Sequence, residues 1–434
     1  MNGILSYGTY VPRGRLDRSQ IKEVARTGGG KGTRSVASFD EDTTTMGVQA
    51  ARRALSGLET STLPSALWFA TADPTYLDKT NATAIHAALG LDPRVQAADF
   101  GGAVRSGIAA FSAAVHTDRT TLVVAADMRT GLPGSAEESF GGDAAAALIF
   151  GSGPVIAELI GEASATAEFT DRWRAPGDPT SKYWEERFGE TQYIPMAQVA
   201  WSEALESAGI STEEIDHVVV TGPHARAARG FVTRATLADR IIDDLADSVG
   251  WTGAASPGLL LSRALEAASA DQVIAVVSMA DGVDIMVFRT TDALPEFRSS
   301  APGLAELGAT ASLSYGTYLA WRGMLPVQPP NRPEPARVSA AASARNRSRK
   351  FTFGGRSDVH GRITTFTIDR LVYSPSPPVI FAVVDFEDGS RTAVELTDVD
   401  EDDVGIGDIV EMTFRRLSTA DGIHNYFWKA RPLQ

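Results

Sequence analysis

Asp73, Tyr76 and His224 are the residues whose types and positions best suit acid–base catalysis. Asp73 and Tyr76 lie in FATADPTY (69–76), and His224 lies in VVTGPHARAARGF (219–231). A carboxylate in an apolar cleft has its pKa raised, which suits a general base, and a tyrosine can donate a proton to a developing oxyanion. Each residue also has a simpler explanation: a turn aspartate before a proline, a turn histidine after one, and a tyrosine that only packs.

The chain contains no cysteine. This excludes disulfides, thiolate zinc sites and thiol nucleophiles together. Both His116 and His360 lack ligand-type residues nearby, so no metal site is predicted. Asp281 and Asp284, in SMADGVDIMVF, are expected to be solvated turn residues.

Helical and strand-like patterns alternate through most of the chain. Helices are predicted at 42–55, 81–89, 107–115, 197–207 and 234–245, and strands at 66–70, 121–125, 144–150, 217–221 and 272–278. Near-continuous apolar strands are buried on both faces, which predicts an α/β architecture with helices over mainly parallel sheets. The pattern restarts near Tyr193, so a duplicated βαβαβ unit is expected.

The composition changes in the last quarter of the chain. Residues 326–350 are rich in Pro, Arg, Ala and Ser and read as a linker. Five short apolar segments follow, separated by turn signals, and predict a small barrel. Their positions are 361–368, 379–385, 391–396, 409–415 and 425–430.

Length, net charge and apolar pattern limit the classes of function to which the chain can belong. The 434 residues exceed one ordinary core, so several domains are expected. The net charge of -14 argues against a nucleic-acid partner, because phosphate binding needs a basic face. The N-terminal residues lack a signal pattern, and no run approaches the roughly 18 apolar residues of a membrane span. A cytoplasmic protein without a membrane span is the expectation.

Three ordered segments resemble the prokaryotic HMG-CoA synthase branch of the thiolase superfamily, which also includes ketoacyl synthase III-like proteins. They are RSVASFDEDTTTMGVQAARRAL (34–55), AADMRTGLPGSAEESFGGDAAAALIFG (125–151) and SYGTYLAWRGML (314–325). The segment TDVDEDDVGIGDIVEMTFRRL (397–417) is similar to the OB-fold domain that accompanies thiolases. The resemblance implies a thiolase-like duplicated βαβαβ layered α/β fold, followed by a small all-β OB-fold barrel. The expected parts are an N-terminal half (1–155), a C-terminal half (156–325), a linker (326–350) and the OB-fold domain (351–434).

The resemblance also locates the family's catalytic positions in this sequence. The family uses a Cys nucleophile, a Glu acid/base and a His; Val104, Ala72 and Thr221 stand at these positions here. His224 stands where the family tends to have Asn. A thiolate is needed to form an acyl-enzyme, so Cys-dependent Claisen condensation is not expected.

Three functions stay open at this point. The first is an aldolase or retro-aldolase acting on a 3-hydroxyacyl-CoA, such as a steroid or lipid side chain, with Asp73 or His224 as base. The second is a non-catalytic acyl-CoA-binding or scaffold subunit that partners an active thiolase. The third is an atypical acyl-CoA synthase or acyltransferase, which the missing nucleophile disfavours.

The expected partners follow from the same resemblance. CoA enters as part of the substrate, and no separate cofactor is expected. A homodimer through residues 1–325 is predicted, with a thiolase or hydratase as a further possible partner. The basic residues Arg345, Arg347, Arg349 and Lys350 are expected to be solvated or to meet CoA phosphates.

Overall fold

A computed structural model describes residues 2–58, 62–301, 303–328 and 360–433. In this part of the chain, nine strands form one large sheet: β1 Asn2–Tyr10, β4 Ala66–Thr71, β5 Gln96–Gly101, β6 Thr121–Asp127, β7 Ala144–Ser152, β8 Ala157–Ala165, β11 His217–Thr221, β12 Val273–Met279 and β13 Val283–Thr290. Their order in the sheet is β11-β12-β13-β8-β1-β7-β6-β4-β5. Two short strands, β9 Arg172–Trp173 and β10 Lys182–Tyr183, form a separate hairpin.

The large sheet repeats one strand pattern. In the series β4-β6-β7-β1, the first pair of strands is parallel and the next two pairs are antiparallel. The series β11-β12-β13-β8 has the same sequence of one parallel and two antiparallel pairs. The two halves meet where β1 pairs with β8. Gly3 permits this approach, because a Cβ there would lie 2.1 Å from the carbonyl oxygen of Ala157.

The expectation of mainly parallel sheets was wrong. Parallel pairing is confined to β4–β5, β4–β6 and β11–β12 among the described strands of the large sheet. The short turn after β12 reverses the chain directly into β13, and a tight turn can join only antiparallel neighbours. A fully buried antiparallel strand gives the same apolar run as a parallel one, so the sequence pattern did not distinguish them.

Helices cover this sheet. They are α2 Thr43–Ser56, α3 Ala82–Ala88, α4 Ser106–Val115, α5 Ala136–Phe140, α6 Glu186–Ala208, α7 Ala225–Arg234, α8 Ser256–Ala267 and α9 Ala293–Ser300. Asp42 begins α2 with a capping box, since its side chain accepts from the N–H of Thr45 and the Thr45 hydroxyl accepts from the N–H of Asp42. The helix predicted at 234–245 was wrong: α7 ends at Arg234, and Thr236 and Leu245 have positive φ angles, which break a helix.

A smaller layer packs beside the sheet. It contains α1 Ser19–Ala25, α10 Tyr315–Trp321 and the three-stranded sheet of β2 Gly14–Asp17, β3 Thr33–Val36 and β14 Ala311–Leu313. The C-terminal domain is an antiparallel sheet in the order β17-β16-β15-β18-β19. Its strands are β15 Gly361–Asp369, β16 Val379–Phe386, β17 Arg391–Glu395, β18 Ile409–Ala420 and β19 Ile423–Pro432. Most of the predicted linker, with Arg345, Arg347, Arg349 and Lys350, lies outside the described residues.

The C-terminal domain contacts the first half of the chain through buried charges. We call Asp40, Glu41, Asp398, Arg415 and Lys429 the interdomain ion cluster. Arg415 is fully buried and lies 3.3 Å from Asp40, 2.9 Å from Glu41 and 2.5 Å from Asp398. Lys429 lies 2.9 Å from Asp40. These contacts, together with the packing of α2 against aromatic side chains of β18 and β19, join the two domains.

No helix of the described segments is both long and apolar enough to cross a membrane.

Candidate active site

Two of the three positions that the resemblance assigns to lost catalytic groups meet in the fold. Ala72 follows β4 and Val104 precedes α4, and both pack with Ala254 and Ala280. We call these four residues the apolar cluster; Trp251 packs against it. Ala72 is 7% exposed and Val104 is 5% exposed, so this surface is apolar and nearly closed.

Thr221, the third assigned position, is buried at the end of β11. It pairs with Ser278 of β12, the strand that ends just before Ala280. The strand ends of the two halves therefore converge on one region.

A buried polar network supports the apolar cluster from behind. One carboxylate oxygen of Asp127 accepts the N–H of Ala72 at 2.7 Å, and the other accepts the N–H of Ala254 at 2.8 Å. Burial raises the pKa of Asp127. Arg129 lies 3.3 Å from Asp127 and also contacts Glu137, so one guanidinium is shared by two buried carboxylates.

His224 forms a buried pair with Asp171. Its Nε2 lies 2.6 Å from Oδ2 of Asp171, and the Tyr193 hydroxyl donates to the same oxygen at 3.0 Å. Because a carboxylate only accepts hydrogen bonds, Nε2 carries a proton, and in the neutral imidazole Nδ1 then keeps its lone pair. Nδ1 makes no hydrogen bond to any residue that the structure describes, and His224 is 6% exposed. Such a pair is suited to general base catalysis.

The β9–β10 hairpin links this pair to the network behind the apolar cluster. The ring of Tyr183 lies edge-on to that of His224, with centroids 6.4 Å apart, and its hydroxyl donates to Glu137. Arg172 lies 3.4 Å from Glu137 and 5.6 Å from the Trp251 ring. A continuous set of contacts thus runs from His224 to the indole that covers the apolar cluster.

Asp73 and Tyr76 lie on the side that faces the C-terminal domain. The Asp73 carboxylate is 3.4 Å from Arg174, and burial raises its pKa although Arg174 opposes the shift. Asp73 also lines an interdomain cavity of about 360 Å³ that includes His424. The Tyr76 hydroxyl accepts from the backbone N–H of His424 at 2.9 Å. Across the described residues no hydrogen bond joins either side chain to His224, and their catalytic roles stay predictions.

The two acidic residues after β12 differ in setting. Asp284 forms a bidentate pair with Arg105 at 2.7 and 3.0 Å, so the expectation of a solvated turn residue was wrong for it. Strand β13 begins one residue earlier, which places Asp284 within the sheet. Asp281 is half-buried, and its backbone N–H donates to the Tyr193 hydroxyl at 3.0 Å.

Sequence reasoning missed Asp171, Tyr183 and Tyr193. Asp171 and His224 are 53 positions apart, and no local motif links them. Asp127 and Arg129 lie within the segment that carries the family resemblance, which was a usable signal for their positions. Within the described ranges, no group of three or more His, Asp or Glu side chains is placed to hold a metal ion.

Comparisons with known proteins agree with this architecture. The family model described as the ChsH2 C-terminal OB-fold domain matches residues 357–415. The hydroxymethylglutaryl-CoA synthase of Methanopyrus kandleri is 29% identical over 334 residues, covering 73% of this chain and 95% of that protein. That of Picrophilus torridus is 28% identical over 352 residues, covering 75% and 98%.

Solved structures show the same fold. A crystal structure of HMG-CoA synthase complexed with CoA has a TM-score of 0.62 at 19% identity, covering 73% of this chain and 89% of that one. The 3-oxoacyl-[acyl-carrier-protein] synthase III of Aquifex aeolicus has a TM-score of 0.57 at 18% identity, covering 67% and 100%. The chain is therefore similar in sequence to hydroxymethylglutaryl-CoA synthases and has a thiolase-like fold. Its C-terminal part contains a small all-β domain that matches the ChsH2 OB-fold domain.

Proposed function

We propose that this chain binds an acyl-CoA and catalyses aldol-type cleavage or formation of a C–C bond in a 3-hydroxyacyl-CoA, with His224 as the base. The observation that carries the proposal is the His224–Asp171 pair. The 2.6 Å contact holds the imidazole so that Nδ1 has no partner among the described residues. Relatives are named for reactions of CoA esters, which supports an acyl-CoA as substrate.

The proposed reaction needs no thiol. Nδ1 of His224 takes the proton of the C3 hydroxyl, the C2–C3 bond breaks, and the hydroxyl oxygen becomes a carbonyl. The electron pair of the broken bond forms the enolate of the shorter thioester, which is then protonated at C2. Stabilising the enolate oxygen requires hydrogen-bond donors aimed at it, and such preorganised donors are usually the largest catalytic contribution. The absence of cysteine is compatible with every step.

Asp73 is the competing base, and Tyr76 remains a candidate proton donor. The raised pKa of Asp73 favours proton uptake, whereas its pairing with Arg174 at 3.4 Å opposes it. The hydroxyl of Tyr76 accepts a hydrogen bond from His424, which leaves its own proton free to be donated. Substitution distinguishes these residues from His224.

The test is a cleavage assay on the purified full chain with 3-hydroxyacyl-CoAs of increasing length, including a branched steroid side chain. Mass spectrometry detects the shorter acyl-CoA and the carbonyl fragment. We expect His224→Gln to lower kcat about 10²- to 10⁴-fold with little change in KM, the usual range for a general base. His217→Gln is the matched control, since His217 lies at the opposite end of β11 and its ring hydrogen-bonds to Gln272. If activity is lost in Asp73→Asn but not in His224→Gln, Asp73 is the base. If the wild type turns over none of the substrates, the proposal is rejected.

A non-catalytic acyl-CoA-binding subunit is the second candidate, and the apolar cluster favours it. Ala72 and Val104 present only hydrocarbon where the resemblance places an acid/base and a nucleophile. Calorimetric binding of CoA, co-purification with an active thiolase, and no activity of the chain alone select this function. The third candidate, an atypical synthase or acyltransferase, requires a nucleophile other than cysteine and is detected by acyl transfer between two CoA esters.

We also propose that the chain forms a homodimer through residues 1–325, as the resemblance implies. A thiolase or hydratase is the further partner to test. Light scattering of the 46.0 kDa chain at micromolar concentration is expected to give twice that mass. A monomeric mass contradicts the dimer without affecting the assignment of His224.

A further inference from the structure

Asp281 lies where the apolar cluster meets the His224–Asp171 pair. It directly follows Ala280 of the apolar cluster. Its backbone N–H donates to the Tyr193 hydroxyl at 3.0 Å, and that hydroxyl donates to the Asp171 oxygen that also accepts from His224. Asp281 is therefore two hydrogen bonds away from the shared carboxylate of the pair.

The backbone of Asp281 has an ordinary explanation. It has φ 50° and is followed by Gly282 at φ 136°, and Asp-Gly is a favoured sequence for tight hairpin turns. The turn explains why an aspartate occurs at position 281 but not the surroundings of its carboxylate. That carboxylate is half-buried and makes no hydrogen bond to a described residue.

The neighbouring charges separate Asp281 from Asp284. Arg105 gives two hydrogen bonds to the Asp284 carboxylate, but it reaches Asp281 only through the backbone carbonyl, at 2.9 Å. Burial and the negative charge of Asp171 raise the pKa of Asp281, Arg105 opposes the rise, and Glu168 adds to it. A partly buried carboxyl group without a bound cation, beside a second titratable pair, is the arrangement found where two groups divide acid and base roles.

We propose that Asp281 is the second acid–base residue of this site and delivers the proton to C2 of the enolate. The inference rests on the proposed function. His224 gains the proton of the C3 hydroxyl, and the Asp281 carboxylic acid loses one to the C2 carbon, whose new C–H bond uses the electron pair of the broken C2–C3 bond. One proton then passes through solvent from His224 to Asp281. The cycle needs no oxidant, reductant or covalent intermediate.

This assignment predicts a partial reaction that cleavage alone does not report. With a short product thioester such as propionyl-CoA in D₂O, Asp281 as base removes a C2 proton and returns a deuteron. Mass spectrometry of the recovered thioester measures the exchange. We expect the exchange rate of Asp281→Asn to be at least about 10²-fold lower than that of the wild type, which is within the range for losing an acid–base group. We expect His224→Gln to lower the rate of cleavage by a larger factor than the rate of exchange.

The control is Asp271→Asn. Asp271 precedes β12 and also has a positive φ angle of 62°, and its side chain forms an exposed pair with Arg289. Asparagine and glycine both tolerate positive φ, so Asp281→Asn and a second variant, Asp281→Gly, preserve the turn. Unchanged exchange and cleavage in both variants overturn the role of Asp281 and leave the proposed function standing. Neither cleavage nor exchange in the wild type overturns both.

Discussion

The interdomain ion cluster and the candidate active site both bury charge, but they differ in how it is compensated. In the interdomain ion cluster, Arg415 contacts three carboxylates, and Lys429 contacts one of the same three, that of Asp40. In the candidate active site, Nδ1 of His224 and the Asp281 carboxylate make no hydrogen bond to a described residue.

This difference teaches which buried charges are structural. A buried ion pair with several well-placed partners holds two surfaces together, and removing one member leaves an uncompensated charge. A buried titratable group without a partner is costly to keep and is enriched where protons are moved. Burial alone therefore does not identify the site, and the missing partner is the feature that separates His224 and Asp281 from the interdomain ion cluster. The substitutions below test that distinction.

The largest stability effect is expected at Arg415. Arg415→Met leaves the carboxylates of Asp40, Glu41 and Asp398 without their common cation, and we expect it to lower the free energy of unfolding by about 3–5 kcal/mol. Denaturant unfolding of the full chain measures this. The matched control is Arg391→Met, which removes an exposed pair with Asp385 and should cost about 0–1 kcal/mol. Equal effects in both variants contradict a structural role for the interdomain ion cluster.

The next effect concerns pH. Burial raises the pKa of Glu41 to about 7; Arg415 opposes the rise, Asp398 adds to it, and the Tyr10 hydroxyl donates to Glu41. Between its ordinary pKa of 4.5 and about 7, the folded chain holds a proton that the unfolded chain has lost. The stabilisation is therefore full below pH 4.5 and is lost as pH rises to 7.

Glu41→Gln tests this sign. The free energy of unfolding of the wild type, measured relative to the variant at pH 5, 6, 7 and 8, should fall by at most about 1.4 kcal/mol per pH unit and level off above 7. A difference that increases with pH contradicts the assignment.

The smallest expected effect is a change in condensation activity, from substitutions at the apolar cluster and at Thr221. Val104→Cys should show no condensation of acetyl-CoA with acetoacetyl-CoA, because burial opposes ionisation of the thiol and Thr221 cannot accept its proton. The triple variant Val104→Cys, Ala72→Glu, Thr221→His is expected to recover a trace. Robust activity of the single variant shows that Asp73 and His224 substitute for the family's acid/base groups.

The sequence predicted elements that depend on local signals. Asp42 caps α2, and the five strands of the C-terminal domain fall at the expected positions because turn residues separate alternating apolar segments. The segment after Arg234 was misassigned as a helix because its apolar spacing fits a helix while its backbone does not. The family resemblance also predicted that the apolar residues at positions 72 and 104 lie close together.

The partners of His224 could not be predicted in this way. Asp171 directly precedes the two-residue strand β9, and Tyr193 lies within α6, before the helix start at 197 that the pattern predicted. Their hydrogen bonds arise only when the hairpin folds against α7. The setting of Asp281 is likewise a property of the tertiary fold, because its turn sequence alone is ordinary.

The most direct test of an acid–base site without a thiol is a single experiment that follows both substrate and protein. The purified chain is incubated with a 3-hydroxyacyl-CoA, and intact-protein mass spectrometry is combined with product analysis. We predict equal amounts of shorter acyl-CoA and carbonyl fragment, with no acyl group added to the protein at any time point. A covalently acylated chain, or intact substrate with every 3-hydroxyacyl-CoA tested, would contradict proton transfer by His224 as the chemistry of this site.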